Sequence, residues 1–134
     1  MLKSTRPPSA IDPRWTAGVA RDLDRCVRRS YRLALITPGQ PCLLWLSGRD
    51  RPGVHALGEV AGDVEDHGGG PVLPVRLTLL DTPLLRAALL GDPRMREAEV
   101  LRVPAGSNPS WLSAEQYAAV LDRVGPPGLG RWVP

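Results

Sequence analysis

The chain has 134 residues, 43% of them apolar, with 14 Gly, 15 Pro and a formal net charge of +3. That length makes one domain with short tails, and so much Gly and Pro argues against a helical bundle and for short strands joined by turns. No apolar run approaches the ~20 residues of a membrane helix, the start lacks the apolar core of a signal peptide, and Cys26 and Cys42 are too few for a disulfide scaffold, which points to a cytoplasmic protein with free thiols.

Residues 1–20 show no sustained periodicity and read as a tail or an arm laid on the domain. The domain proper is expected over 21–125, with a C-terminal tail over 126–134 that Trp132 tacks onto the surface. Arg21, Arg25, Arg28 and Arg32 are spaced to share one stripe of a helix. Pro38-Gly39-Gln40-Pro41 is a turn. Cys42 to Ser47 is an apolar run bounded by turns, hence a buried strand. Gly48 to Gly53 makes a charged hairpin loop, and Val54 to Val60 a second strand. Gly58 and Gly62 mark a bulge or a close backbone approach there. After the loop Gly68-Gly69-Gly70-Pro71, Val75, Leu77 and Leu79 alternate with Arg76 and Thr78 in a third strand. Pro74 places the start of that strand at a sheet edge.

Thr82-Pro83 predicts a helix start, with Leu84, Leu85, Ala88 and Leu89 on one face and Gly91 as a left-handed stop. Glu99 to Val103 reads as another strand. The last helix has the best local signal. Ser113 and Gln116 form a capping box, Leu112 and Tyr117 have staple spacing, and Tyr117, Val120, Leu121 and Val124 make the buried stripe. Gly125-Pro126 is expected to end it. Strands interspersed with single helices predict an α+β fold, a small sheet or barrel with helices outside.

Catalytic constellations are thin. Nothing in the spacing pairs Cys26 or Cys42 with His55 or His67 as nucleophile and base, and these residues lack the close ligand spacing of a zinc site. No phosphate-cradling Gly-x-x-x-x-Gly-Lys-Ser/Thr occurs. The expectation is no catalytic residue, no cofactor and no metal. The arginines between 21 and 32 offer a phosphate track; the bland alternative pairs them with Asp22 and Asp24. Trp45 is either core or an indole shown at the strand's open end, where it can stack on a base. Trp111 stands beside Ser107-Asn108-Pro109-Ser110, a polar loop able to meet the edge of a planar ligand.

As an ordered set these segments resemble the EVE domain, a PUA-like module related to the YTH domain. The match runs from Cys42-Leu43-Leu44-Trp45-Leu46-Ser47-Gly48 through Pro52 to Val60, Leu84 to Leu90, Pro93 and Leu101-Arg102 to Ser107 and the capped helix at Leu112 to Gln116, within about residues 25–124. The resemblance implies a small, partly open β-barrel flanked by helices that holds a modified base of DNA or RNA in an aromatic pocket, without catalysis. Carried over by position, Trp45, Ser47, Gly48, Arg102 and Ser107, with Asn108 beside them, are expected at the base, and Arg28 and Arg29 at phosphates; the residue reading adds Trp111 to the base site and Arg25 and Arg32 to the phosphate track. Asp24, Arg25 and Cys26 stand where the family has a Trp, so either Trp15 or Trp111 takes its place or the pocket is altered. Two other readings remain: a module for a nucleoside-like small molecule or a protein partner, and a PUA-like hydrolase of the ASCH type. The latter is disfavoured because Lys3 is the lone lysine among 17 basic residues.

Overall fold

The structure, a computed structural model, describes residues 1–66, 68–102 and 108–129, the last five by backbone alone. The strands are β1 (Leu2–Ser4), β2 (Ala20–Cys26), β3 (Pro41–Leu46), β4 (Gly53–Val60), β5 (Glu65–Asp66) and β6 (Pro71–Leu85). The helices are α1 (Pro8–Ile11), α2 (Arg86–Leu90), α3 (Glu99–Arg102) and α4 (Ala114–Leu129), with 3₁₀ turns at Tyr31–Leu35 and Pro93–Met95. The sheet runs β1-β3-β4-β6-β2, with β5 on β6, and curls into a half-barrel. Only the β1–β3 pairing is parallel among the described strands. The fold is the α+β, partly open barrel that the sequence predicts.

The apolar run of β3 is continuous because both of its faces are covered. Leu43 and Trp45 pack with Leu89, Met95, Ala119 and Val120 under the helices. Cys42 and Leu44 face the other way, onto a second core with Leu2, Trp15, Leu73 and Val75. On β4 a Cβ at Gly58 would lie 1.9 Å from the Arg76 carbonyl oxygen, so the expected close backbone approach is real. The capping box also forms: Gln116 N–H donates to Ser113 Oγ at 3.1 Å and Ser113 N–H to Gln116 Oε1 at 2.9 Å.

Several expectations change. Of the two alternatives for the N-terminus, residues 2–4 follow the arm and not the free tail, pairing as a strand in register with Leu44 to Leu46; three residues are too few to show a period. The arginine stripe is not helical. Ala20–Cys26 is a strand along β6, with Asp22 opposite Arg76 and ion-paired to it at 3.0 Å. A spacing of four is even, so Arg21 and Arg25 share a strand face as readily as a helix face. Pro74 lies inside the sheet, since β6 is central. Its carbonyl accepts from Ala61 N–H just past the end of β4, so its missing donor costs the β2 ladder nothing. Pro83 belongs to β6, in the irregular stretch between the pairs Ala56↔Leu79 and Val54↔Leu84, and the helix begins three residues later. Gly91 closes that helix with right-handed dihedrals (φ −82°). Glu99–Arg102 is a helical turn continuing from Met95, with Leu101 and Arg102 N–H both bonded to the Ala98 carbonyl. The backbone of α4 stays helical through Gly125-Pro126 to Leu129 instead of ending at Gly125, although each proline there forfeits its own i→i−4 bond.

Candidate functional site

β1 and β2 are the two edges of the curled sheet, and the loop before α4 joins them. Asn108 Oδ1 accepts from Lys3 N–H at 3.1 Å. Its Nδ2 donates to the carbonyls of Lys3, at 3.5 Å, and Cys26, at 3.4 Å. The Asn108 carbonyl accepts from Arg28 N–H at 2.8 Å, and Ser110 N–H donates to the Met1 carbonyl. One carboxamide thus spans the seam of the half-barrel.

Beside the seam opens a hollow of about 370 Å³, within the ~300–1,000 Å³ range of small-molecule sites. Its floor is aliphatic, with Leu2, Leu43 and Leu73, and the buried Cys42 thiol is pushed up by desolvation. At the rim Trp111 is 46% exposed, and Leu35 and the neighbouring Tyr31 also face solvent. Arg32 forms one wall. Its guanidinium grips Glu99 with two bonds, 2.8 and 3.0 Å, donates to the Pro109 carbonyl and lies 5.9 Å from the Tyr31 ring centroid. The hydrogen bonds from Arg32, and then that from Ser110, hold the Glu99 carboxyl below its usual range.

The expected base site is not assembled as the sequence implied. Trp45 is 3% exposed and belongs to the core under the helices, so its indole cannot stack on a ligand. Ser47, whose N–H donates to the Ser4 carbonyl, and Gly48 lie past the far end of β3, whereas the hollow is at its start, at Pro41, Cys42 and Leu43. Asn108 has its carboxamide committed to backbone and so has no free edge to offer. Arg102 pairs with Glu97 on the surface. Ser107, like His67 and Trp132, lies outside the described residues. Among the described residues, Trp111 alone of the expected base-site set lines the hollow. Trp15 cannot replace the family Trp, being buried with its Nε1 donating to the Val19 carbonyl at 3.0 Å.

The phosphate set divides too. Arg29 is paired with Asp66 and Arg32 with Glu99, while Arg25 and Arg28 make no ion pair among the described residues. Arg21, from the original stripe, is bound to Asp12 at 2.9 Å. Sequence reasoning missed Tyr31, Leu35 and Glu99, whereas Ser110 belongs to the polar loop it singled out. The three come from two segments far apart in the chain, and no local pattern announces them. Among the described residues no group of His, Cys, Asp or Glu is placed to hold a metal ion, and no helix is long and apolar enough to cross a membrane.

No family model matches the chain, and no curated protein matches it. Among solved structures, it is similar to a hypothetical protein from Leishmania major: TM-score 0.62, 19% identity, covering 76% of this chain and 80% of that one. It is also similar to a protein of Rhodopseudomonas palustris solved by NMR: TM-score 0.63, 15% identity, covering 90% and 88%. At these identities the likeness is one of fold.

Proposed function

We propose that the protein is a non-catalytic module of the EVE, PUA-like kind that binds nucleic acid and takes a modified base into the hollow beside Trp111. The observation that carries this reading is the hollow itself: large enough for a flat heterocycle, open, and rimmed by an exposed indole. An indole face stacks on any base, worth about 1–3 kcal/mol. Arg28, whose N–H the Asn108 carbonyl of the same loop holds, makes no ion pair among the described residues and can position a phosphate. A base reaches the hollow only when it leaves its stack, which is easiest for a damaged, mismatched or unpaired one.

The test is a titration of labelled oligonucleotides that differ by one base modification, against the parent and Trp111→Ala. Binding by the parent, with preference for one modified base and loss of that preference in Trp111→Ala, is the expected result. A parent that ignores oligonucleotides overturns the reading. One observation favours a free small molecule as second reading: the polar side chains around the hollow are already bonded within the protein, Gln40 to Thr37 and Leu35, Arg32 to Glu99, and Ser113 to Gln116. Binding of free nucleosides with no response to oligonucleotides selects that one.

A further inference from the structure

Three arginines, Arg6, Arg25 and Arg28, belong to segments that meet at the seam, and Arg6 is close enough to act on Arg25. Arg25 is in β2, on the same face as Leu23, which packs against the second core. Arg6 follows β1, the opposite edge. Arg28 follows β2, its N–H fixed by the Asn108 carbonyl. Because Asn108 bonds both Lys3 and Cys26, it draws the neighbours of those two residues to one place. Arg6 donates to the Ala10 carbonyl, yet none of the three forms an ion pair among the described residues. Their neighbours differ: Arg21, Arg29, Arg32 and Arg76 each hold a carboxylate.

Clustered guanidiniums without carboxylates repel one another, most of all where water is partly excluded. Arg25 is the partly buried member; desolvation first, and then Arg6, lower its hold on its proton. An anion between such groups offsets both costs, and guanidinium forks match the oxygens of a phosphate. Trp111 and this cluster flank the same Asn108–Ser110 loop, so a strand with its base at the hollow has its backbone at the seam.

We propose that Arg6, Arg25 and Arg28 form a phosphodiester-binding strip across the seam of the half-barrel, one that grips the backbone of the strand whose base enters the hollow. The inference rests on the nucleic-acid reading above. It replaces a track along a helix with one that joins the two edges of the sheet, and it adds Arg6.

The experiment measures anisotropy of a fluorescein-labelled single-stranded oligonucleotide with the full chain, as sodium chloride is varied. Each phosphate contact on a single strand contributes about 0.7 to the slope of log affinity against log salt. The double variant Arg6→Ala, Arg25→Ala is expected to flatten the slope by about 1.4 and to lose about 25-fold in affinity at 0.1 M salt. Arg28→Ala, at an exposed position that the fold does not need, is expected to flatten it by about 0.7. Arg96→Ala removes an equal charge elsewhere and is expected to leave the slope unchanged. A parent that binds while both seam variants keep its slope overturns the strip and spares the nucleic-acid reading. No binding by the parent overturns both. Inorganic phosphate that displaces the oligonucleotide far better than chloride at matched ionic strength marks a free-phosphate site and overturns the strip.

Discussion

Asn108 holds Lys3 from both sides: its Oδ1 accepts from the Lys3 N–H and its Nδ2 donates to the Lys3 carbonyl. A third bond, from Nδ2 to the Cys26 carbonyl, reaches the opposite edge of the sheet, so the side chain acts as a clasp. Asn108→Ala leaves the Lys3 N–H and two carbonyls to find water, and partly buried orphans cost about 1–3 kcal/mol each at most. The expected result is a stability loss of about 2 kcal/mol by urea unfolding, with faster hydrogen exchange confined to residues 2–4 and 24–28. An Asn108→Ala protein as stable as the parent removes the clasp.

Gly58 on β4 has no room for a side chain against β6. Its missing Cβ would lie 1.9 Å from the Arg76 carbonyl oxygen and 2.9 Å from Leu77 Cα, both backbone. A flexible side chain could swing away; a ladder cannot without breaking pairs. Gly58→Ala is therefore expected to cost more than about 3 kcal/mol, the upper end for overpacking, read as a collapse of the urea midpoint or loss of soluble protein. Gly69→Ala, with open space around it, is the comparison and should unfold where the parent does.

These two sites show what was legible in the chain. The Gly58 approach was one of the two readings, bulge or close approach, that a glycine inside an apolar strand allows. The strand Cys42 to Ser47 and the Ser113–Gln116 cap were legible because their cause is local. The clasp was not. Asn108 looked like a ligand-reading group because its partners, Lys3 and Cys26, are 105 and 82 residues away. Leu2–Ser4 shows no pattern of its own and becomes a strand only because β3 has a free edge. The arginines at 21 and 25 fit two periods equally, and the period-two alternation of Asp22 and Asp24 with them held the deciding signal. Trp45 was ambiguous in the same way, since its burial is set by the helices that cover its face of β3.

Asp92 ties the turn after α2 to α4. Its carboxylate accepts from Arg94 N–H at 2.9 Å and Arg94 Nη2 at 2.9 Å, and from Arg123 Nε at 3.4 Å. The Arg94 side chain, then its backbone N–H, draw the carboxyl down to about 2. A carboxyl with a folded value below its unfolded one contributes stability that is complete above the unfolded value, near pH 4. That contribution is lost as pH falls towards 2. Asp92→Asn removes the charge at every pH. The parent's stability is expected to drop more steeply than the variant's between pH 5 and 2, with the two curves converging at the acid end. Parallel curves across that window would mean that Asp92 does not titrate as its partners require.

The two indoles, Trp45 near the far end of β3 and Trp111 beside the hollow at its start, provide the sharpest separation of fold from function. Trp45 is 3% exposed, with Leu43, Leu89 and Val120 in its cluster, and Trp111 is 46% exposed at the rim of the hollow. Trp45→Ala empties a core site and should cost about 3–5 kcal/mol, lowering the melting temperature. Trp45→Phe keeps most of the volume and should restore much of the loss. Trp111→Ala vacates solvent-facing area and should shift stability by less than about 0.5 kcal/mol, while base stacking worth about 1–3 kcal/mol disappears from binding. Paired thermal melts and oligonucleotide titrations on the three variants check this. A Trp111→Ala protein that melts early but binds like the parent, or a Trp45→Phe protein that melts normally but no longer binds, would exchange the two roles and place the base at the far end of β3.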